Sequence, residues 1–176
     1  MITLLFLIGC SPSAEEIATA INSKNPVMRE DGAKIAQNYA DPVVEKALIG
    51  VIADSSAPVR LNAIESLAEI EATTAGPALV DRLQHDDQPK VRRAAADALG
   101  RLKVKESVAP LVEYVHSFGP EDRDQLAGVW ALGNIGSEGL PAPDKQVVLD
   151  CLGTLRDTTT DKYVKWQATA ALRTLK

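Results

Sequence analysis

Aromatic residues are scarce in this sequence, making up 4% of its 176 positions, and runs of β-branched residues are few. Residues with high helix propensity, Ala and Leu above all, are abundant. A chain of this length can bury a sizeable core in one domain. The composition therefore argues against a sheet-based fold and predicts an all-α protein.

Recognisable catalytic motifs are also lacking. The sequence has no Walker A loop, no G-x-S-x-G and no H-E-x-x-H, and His85 and His116 are its only histidines. Both are expected near helix ends, where a solvated side chain is more typical than a zinc ligand. We therefore predict that the chain is not an enzyme, with no catalytic residue, no cofactor and no metal site.

Excess positive charge is absent too, since the formal net charge is −5. Bulk charge thus does not favour a nucleic-acid partner. One local basic cluster could contact phosphate or an acidic partner, and it consists of Lys90, Arg92, Arg93, Arg101, Lys103 and Lys105. Neighbouring acidic residues dilute its field, so a solvated face of mixed charge is the alternative, and no nucleic acid is expected.

No apolar run is long enough to span a bilayer, which takes roughly 20 residues. The run Ile2–Ile8 has the length of a signal-peptide core, and Leu7-Ile8-Gly9-Cys10 resembles a bacterial lipobox. The resemblance implies a signal peptide at residues 1–9, a lipidated Cys10 and a repeat domain at 10–176. It implies a lipid-anchored protein of the bacterial envelope, at the periplasmic face of the outer membrane. The alternative is a cytoplasmic protein with a chance apolar start, because no Lys or Arg precedes the run.

Apolar and small residues recur with the spacing 4, 4, 3, which places them on one helical face. Clear copies begin at Val59, Val91 and Val164, and weaker ones begin at Met28 and Asp124. The five starts are 31, 32, 33 and 40 residues apart. The full anchor sets are Met28, Gly32, Ala36, Tyr39; Val59, Ala63, Leu67, Ile70; Val91, Ala95, Leu99, Leu102; Asp124, Gly128, Leu132, Ile135; and Val164, Ala168, Leu172, Leu175.

A second stripe of mostly small residues follows each start by seven positions and should let helices approach closely; it is Ile35, Ser66, Ala98, Ala131 and Ala171. Other helical segments lie between the anchored helices, and Ser13–Glu16 reads as a capping box. The sequence thus predicts five helical hairpins that stack into one core, at 13–40, 41–71, 75–102, 106–136 and 143–175. Residues 136–143, rich in Gly and Pro, are predicted to form a longer loop.

The pairs Val59-Arg60 and Val91-Arg92, with the segment Ala98-Leu99-Gly100, resemble HEAT repeats, in particular the subtype named after phycobilisome lyases. The resemblance implies a right-handed α-solenoid of about five HEAT-like hairpins. It also implies a hydrogen-bonded ladder in which an Asp precedes an Arg by six residues, and the matching residues are Asp54, Arg60, Asp86 and Arg92. The other repeats depart from this pattern, with Ser23, Gly119 and Thr159 at the Asp position.

The anchored helix is the second helix of each hairpin, and it carries another stripe away from its core face. In the last two repeats this stripe contains large apolar residues that we expect to be exposed. We expect this row to line a concave surface and to bind a protein partner through Leu61, Arg93, Leu126, Trp130 and Trp166. The alternative is that the tryptophans pack between adjacent helices. No small-molecule substrate is expected.

Together these features predict a non-catalytic scaffold for protein–protein interaction, held at a membrane through Cys10. Two alternatives stay open. One is an accessory to, or member of, a bilin-lyase-like HEAT enzyme family, and the other is a cytosolic nucleic-acid-binding HEAT protein.

Overall fold

The computed structural model describes residues 11–119 and 122–175, and this part of the chain is helical with no strand. Its α-helices pair into consecutive hairpins, in agreement with the all-α prediction. Their bounds are α1 Ala14–Ile21, α2 Pro26–Ile35, α3 Pro42–Val51, α4 Ala57–Glu69, α5 Gly76–His85, α6 Pro89–Arg101, α7 Val108–His116, α8 Leu126–Ser137, α9 Ala142–Thr158 and α10 Lys162–Thr174.

Short polar side chains determine where several helices begin. At α1 the predicted capping box is present, with the Glu16 backbone N–H donating to Ser13 Oγ at 3.2 Å and the Ser13 N–H donating to Glu16 Oε2 at 2.8 Å. Asn25 and Asp41 cap α2 and α3 by accepting from the Val27 and Val43 backbone N–H groups, and each is followed by a Pro at the first helical position. These contacts satisfy N–H groups that a helix start leaves unpaired.

In two hairpins, the second helix is followed by a residue with left-handed backbone conformation. Glu71 after α4 has φ 58° and Lys103 after α6 has φ 54°. Both lie at the same distance after the first anchor of their repeat, and the next N–H reaches back in each case, from Ala72 to Leu67 O at 2.9 Å and from Val104 to Leu99 O at 3.1 Å. The repeat is therefore visible in backbone conformation as well as in sequence.

The predicted anchors form much of the buried core. Val59, Ala63 and Leu67 have no exposed surface, and the same holds for Ala95 and Leu99 in the next repeat. Asp124 is an exception, since the chain enters α8 through a 3₁₀ turn at residues 123–125 that leaves this side chain exposed. The prediction that Asp124 is a core anchor is therefore wrong, while Leu132 and Ile135 of its repeat are buried.

The chain divides into two compact units, one ending at Ala78 and the other starting at Leu79. In the first, α2 packs on α4 and α1 on α3; in the second, α8 packs on both α6 and α10. Close approach depends on small residues: a Cβ at Gly100 would lie 2.6 Å from Ala131 Cα, and one at Gly133 would lie 2.8 Å from Ala171 Cβ. The small residues of the second stripe thus sit where helices meet.

The predicted loop at 136–143 is shorter than expected. Gly136 and Ser137 belong to α8, and Ala142 and Pro143 open α9, so residues 138–141 make the connection. Gly139 turns the chain with φ 79°, a conformation that Gly adopts without steric cost. The extra length of the last repeat lies instead in α9, which has 17 residues.

Candidate functional site

The side chains at the ladder positions make a recurring contact six residues back along the chain. Arg60 Nη1 donates to Asp54 O at 2.8 Å, and Arg92 Nη1 donates to Asp86 O at 2.8 Å. The same contact occurs where the sequence departs from the pattern, from Arg29 Nη1 to Ser23 O at 3.0 Å and from Gln125 Nε2 to Gly119 O at 3.3 Å. Because the acceptor is a backbone carbonyl, the residue at the Asp position need not be acidic.

The carboxylate of Asp54 has a different partner, the Arg of the preceding repeat. Arg29 Nε donates to Asp54 Oδ2 at 2.7 Å and Arg29 Nη2 to Oδ1 at 3.0 Å, while the Ser56 N–H donates to Oδ1 at 2.8 Å. The Arg29 guanidinium lowers the pKa of Asp54, against the opposing effect of burial. This bidentate contact links two consecutive hairpins of the first unit.

The five residues predicted to bind a partner differ in exposure. Trp166 on α10 is 68% exposed and Arg93 on α6 is exposed, whereas Leu61 on α4 and Leu126 on α8 are half-buried. Trp130 is half-buried as well, with its ring beside Gly100 of α6. Trp130 thus has a packing contact within the second unit, and Leu61 belongs to the other unit. Whether any of the five binds a partner stays a prediction.

An exposed aromatic and cationic cluster next to Trp166 was missed in the sequence analysis. The Tyr163 side chain, 49% exposed, lies under the Arg123 guanidinium at 4.6 Å and near Lys162 Nζ at 5.0 Å from the ring centroid. Arg123 Nε also donates to Asp161 Oδ2 at 2.8 Å, and this contact lowers the pKa of Asp161. Tyr163 falls outside the anchor spacing, so the only available sequence signal was its place one turn before Trp166.

A groove of about 210 Å³ runs between α8 and α10. Its walls include Trp130 and Asn134 on one side and Gln167 and Ala170 on the other. Ala170 follows Trp166 by one helical turn, so the exposed indole lies on the same helix as this groove. The side-chain amides offer both donors and acceptors to a bound chain.

Several members of the predicted basic cluster are engaged within the protein. Lys103 pairs with Glu138, and Lys105 Nζ donates to Gly139 O at 3.1 Å, so both hold the α8–α9 connection. Arg101 also has a partner. These contacts leave less of the cluster available to an outside anion than the sequence suggested.

The remaining titratable candidates differ in environment. His85 Nδ1 lies 3.0 Å from Asp81 Oδ1 on an exposed face, and within residues 11–119 and 122–175 no three His, Cys, Asp or Glu side chains form a group able to hold a metal. Burial raises the pKa of the Cys151 thiol to about 11, which disfavours the reactive thiolate. Cys10 and the predicted signal peptide lie outside the described residues. None of the described helices has the length and apolar character that crossing a membrane requires.

Consecutive helical hairpins with small residues at the helix contacts define an all-α protein of the α-solenoid class. HEAT repeat models match residues 14–89 and 76–173. The chain therefore belongs to the HEAT repeat family.

Two solved structures show the same fold. One is the complex of CpcE and CpcF of phycocyanin lyase from Nostoc sp. PCC7120, with 22% identity, a TM-score of 0.77 and coverage of 94% of this chain. This chain spans 66% of that one, slightly less than two thirds of its length. The other is an engineered protein with 18% identity and a TM-score of 0.60, covering 94% of this chain and 99% of that one. The comparison with curated protein sequences gave no match.

This likeness corrects the prediction that the chain is not an enzyme. That prediction was argued from a repeat architecture without a catalytic motif, and the same architecture occurs in a complex that is named as a lyase. The lack of a familiar catalytic motif on this fold is therefore no reason to exclude enzymatic activity. The prediction that the chain is not an enzyme is withdrawn. One fold can host many functions.

Proposed function

We propose that the chain works as a HEAT-repeat subunit of a protein complex of the lyase type, as an accessory to or a member of a bilin-lyase-like family. The observation that carries the proposal is the fold shared over 94% of this chain with a complex of two proteins of phycocyanin lyase. A subunit of this kind contributes an extended surface to which a second protein binds.

The surface that we assign to the partner is centred on Trp166 of α10. Large aromatic side chains release much ordered water on binding, and exposed Trp is enriched at the centres of interfaces. Tyr163, one turn before Trp166, is held in place by the Arg123 guanidinium above its ring. A pre-ordered aromatic side chain loses little conformational entropy when a partner docks.

The test begins with isolation of the tagged chain from its native source, with identification of crosslinked proteins and reconstitution from purified components. Trp166→Ala should weaken the reconstituted complex at least tenfold in Kd, since hot-spot truncations cost about 2 kcal/mol or more. Val147→Ala is the matched control, because Val147 is an exposed apolar residue, 44% exposed, on α9 instead of α10. An unchanged Kd for Trp166→Ala would contradict the assigned surface.

The enzymatic part of the proposal has its own assay. The reconstituted complex is incubated with a bilin, and turnover is followed through the bilin absorption spectrum, with each protein alone as a control. Turnover by the complex that neither component supports alone is the expected result. A complex that forms and leaves the bilin unchanged would reduce the proposal to a binding function.

We propose further that Cys10 carries a lipid and anchors the chain in the bacterial envelope. The support is the lipobox-like sequence Leu7-Ile8-Gly9-Cys10. Two or more acyl chains make such an anchor stable, since each buried methylene contributes ~0.8 kcal/mol. Cys10→Ser should move the protein from the membrane fraction to the soluble fraction, and a wild-type chain found only in the soluble fraction would rule the anchor out.

A further inference from the structure

Arg29 donates hydrogen bonds from both edges of its guanidinium. Its Nη1 donates to Ser23 O at 3.0 Å and Lys24 O at 3.2 Å, which leaves one edge of the guanidinium facing the next repeat. That edge, Nε and Nη2, holds both oxygens of Asp54 at 2.7 Å and 3.0 Å. One edge thus binds the chain's own turn, and the other binds a carboxylate.

Arg92 has the first of these contacts and lacks the second. Its Nη1 donates to Asp86 O at 2.8 Å, while no residue of 11–119 or 122–175 accepts from its Nε or Nη2. The reason lies one repeat further on. Gly119 takes the position that Asp54 takes relative to Arg29, since Gln125 Nε2 donates to Gly119 O just as Arg60 Nη1 donates to Asp54 O.

Arg92 also lines a cleft of about 460 Å³ in the second unit, a volume typical of small-ligand sites. Leu83 and Pro110 give this cleft apolar wall area, and Gln84 and His85 give it hydrogen-bonding groups. The side chain that would have filled the space in front of the guanidinium is missing at Gly119. The guanidinium edge for which residues 11–119 and 122–175 offer no acceptor therefore belongs to a side chain at the wall of a cavity that solvent or a ligand can enter.

We propose that this cleft binds a carboxylate-bearing ligand, with the carboxylate held by Nε and Nη2 of Arg92 as Asp54 is held by Arg29. The fork of a guanidinium matches the two oxygens of a carboxylate. Glu113 lines the same cleft and its Oε2 accepts from Gln84 Nε2 at 3.3 Å. Its negative charge opposes any entering anion, so selection of a carboxylate has to come from the match between its two oxygens and the fork of the Arg92 guanidinium.

The first experiment is a titration of the full chain with glutarate, in which binding is measured by calorimetry and by the NMR signal of the arginine Nε–H group. Acetyl-Asp-Glu-amide, glutaramide and inorganic phosphate are titrated in parallel. Binding of glutarate or of the peptide, with no binding of the neutral glutaramide, is the expected result. A preference for glutarate would indicate a free organic acid as ligand, and a preference for the peptide would indicate an acidic segment of a protein. No carboxylate binding, or binding of phosphate alone, would overturn the proposal.

Substitutions then locate the site. Arg92→Gln should weaken binding at least tenfold, while Arg93→Gln, an exposed arginine on the same helix, should leave it unchanged. Glu113→Gln should tighten binding several-fold because it removes the opposing charge. Equal losses from Arg92→Gln and Arg93→Gln would show that only the general positive charge of α6 attracts the anion, and would overturn the site.

Gly119→Asp is the sharpest test, because it supplies the missing carboxylate from within the chain. A Cβ at Gly119 meets no atom within 4 Å, so the substitution is sterically allowed. We expect it to abolish glutarate binding and to raise the melting temperature, whereas Gly119→Asn, which lacks the charge, should retain binding. Full glutarate binding by a folded Gly119→Asp variant would contradict the assignment. The site is independent of the proposed complex, so either proposal can fail alone.

Discussion

At the scale of single residues, the ladder positions make two kinds of contact. In four of the repeats the ladder side chain donates to a carbonyl six residues back in its own repeat, and in the first unit the Asp54 carboxylate adds a contact to the preceding repeat. The contact to the carbonyl tolerates Gln in place of Arg, as Gln125 shows. The carboxylate contact requires both an Asp and an Arg, and it is therefore the contact that a single substitution removes.

Asp54→Asn should lower the free energy of unfolding by about 2 kcal/mol at neutral pH, because hydrogen bonds between charged groups contribute roughly 1.5–3 kcal/mol. The side chains of Arg29 and Asp54 are only 15% and 10% exposed, so solvent screens the pair weakly. Urea unfolding measures the change. Asp157→Asn is the control, since its pair with Arg156 lies at the surface, where solvent and salt screen it, and the substitution should change the free energy of unfolding much less.

The same pair predicts how stability depends on pH. Arg29 lowers the folded-state pKa of Asp54, so its contribution is complete above the unfolded pKa of about 3.9 and is lost as pH falls through the folded pKa. Asp54→Asn should therefore show a shallower loss of stability than the wild type below about pH 4. If the free energy of unfolding fell equally steeply below about pH 4 in both proteins, this account would be contradicted.

Cys151 should not react with thiol reagents in the folded protein at pH 8. The thiol is 4% exposed and its pKa is raised to about 11, so little reactive thiolate forms and little of it is accessible. The measurement uses the Cys10→Ser variant, so that any signal comes from Cys151. One thiol should appear on adding denaturant, and rapid labelling without denaturant would show that the α9 core opens readily.

At the scale of helices, close approach is controlled by glycines at the contacts of the second helices. Gly100→Ala should lower the free energy of unfolding by about 1–3 kcal/mol, the usual range for overpacking, because the new Cβ meets the backbone of Ala131. Backbone cannot rotate away as a side-chain tip can. The melting temperature and urea midpoint measure the effect.

Gly153→Ala is the matched control for this prediction. Gly153 lies inside α9, and its added Cβ meets nothing within 4 Å. Ala in place of an unhindered helical Gly stabilises a helix by up to about 1 kcal/mol. The two Gly→Ala changes should therefore have opposite signs, and equal effects would refute the role given to helix contact at Gly100.

At the scale of the whole molecule, each compact unit has its own buried core. Ile17 and Leu48 have no exposed surface in the first unit, and Leu111 and Leu132 have none in the second. We expect Gly100→Ala to raise amide hydrogen exchange in α6 and α8 by more than in α1 to α4, since repeat arrays lose structure locally. A uniform rise along the whole chain would instead indicate a single cooperative unit.

Much of the fold was predictable because helix periodicity is a local property. The spacing of Val59, Ala63 and Leu67 identified a buried face without knowledge of what packs on it. The capping box at Ser13 fixed a helix start for the same reason. The prediction failed at Asp124, where a 3₁₀ turn interrupts the spacing, and at residues 136–143, where Gly and Pro are accommodated at the ends of helices.

The candidate sites were less predictable, because exposure and pairing depend on neighbours in space. Trp130 and Trp166 occupy similar places in the sequence pattern, yet only Trp166 is largely exposed. Trp130 lies beside Gly100, a residue of another hairpin. Sequence spacing placed both on the same stripe and could not tell which one has a helix beside it.

The sequence by itself determined the helical hairpins, their repeat and most of the buried faces, since these follow from backbone propensities and spacings within a few turns. The tertiary structure decided which charges meet. It paired Asp54 with Arg29, 25 residues earlier, and placed Arg92 at the wall of a cleft, where no residue of 11–119 or 122–175 accepts from its Nε or Nη2. Such partners belong to adjacent hairpins, and no local rule relates residues that only packing brings together.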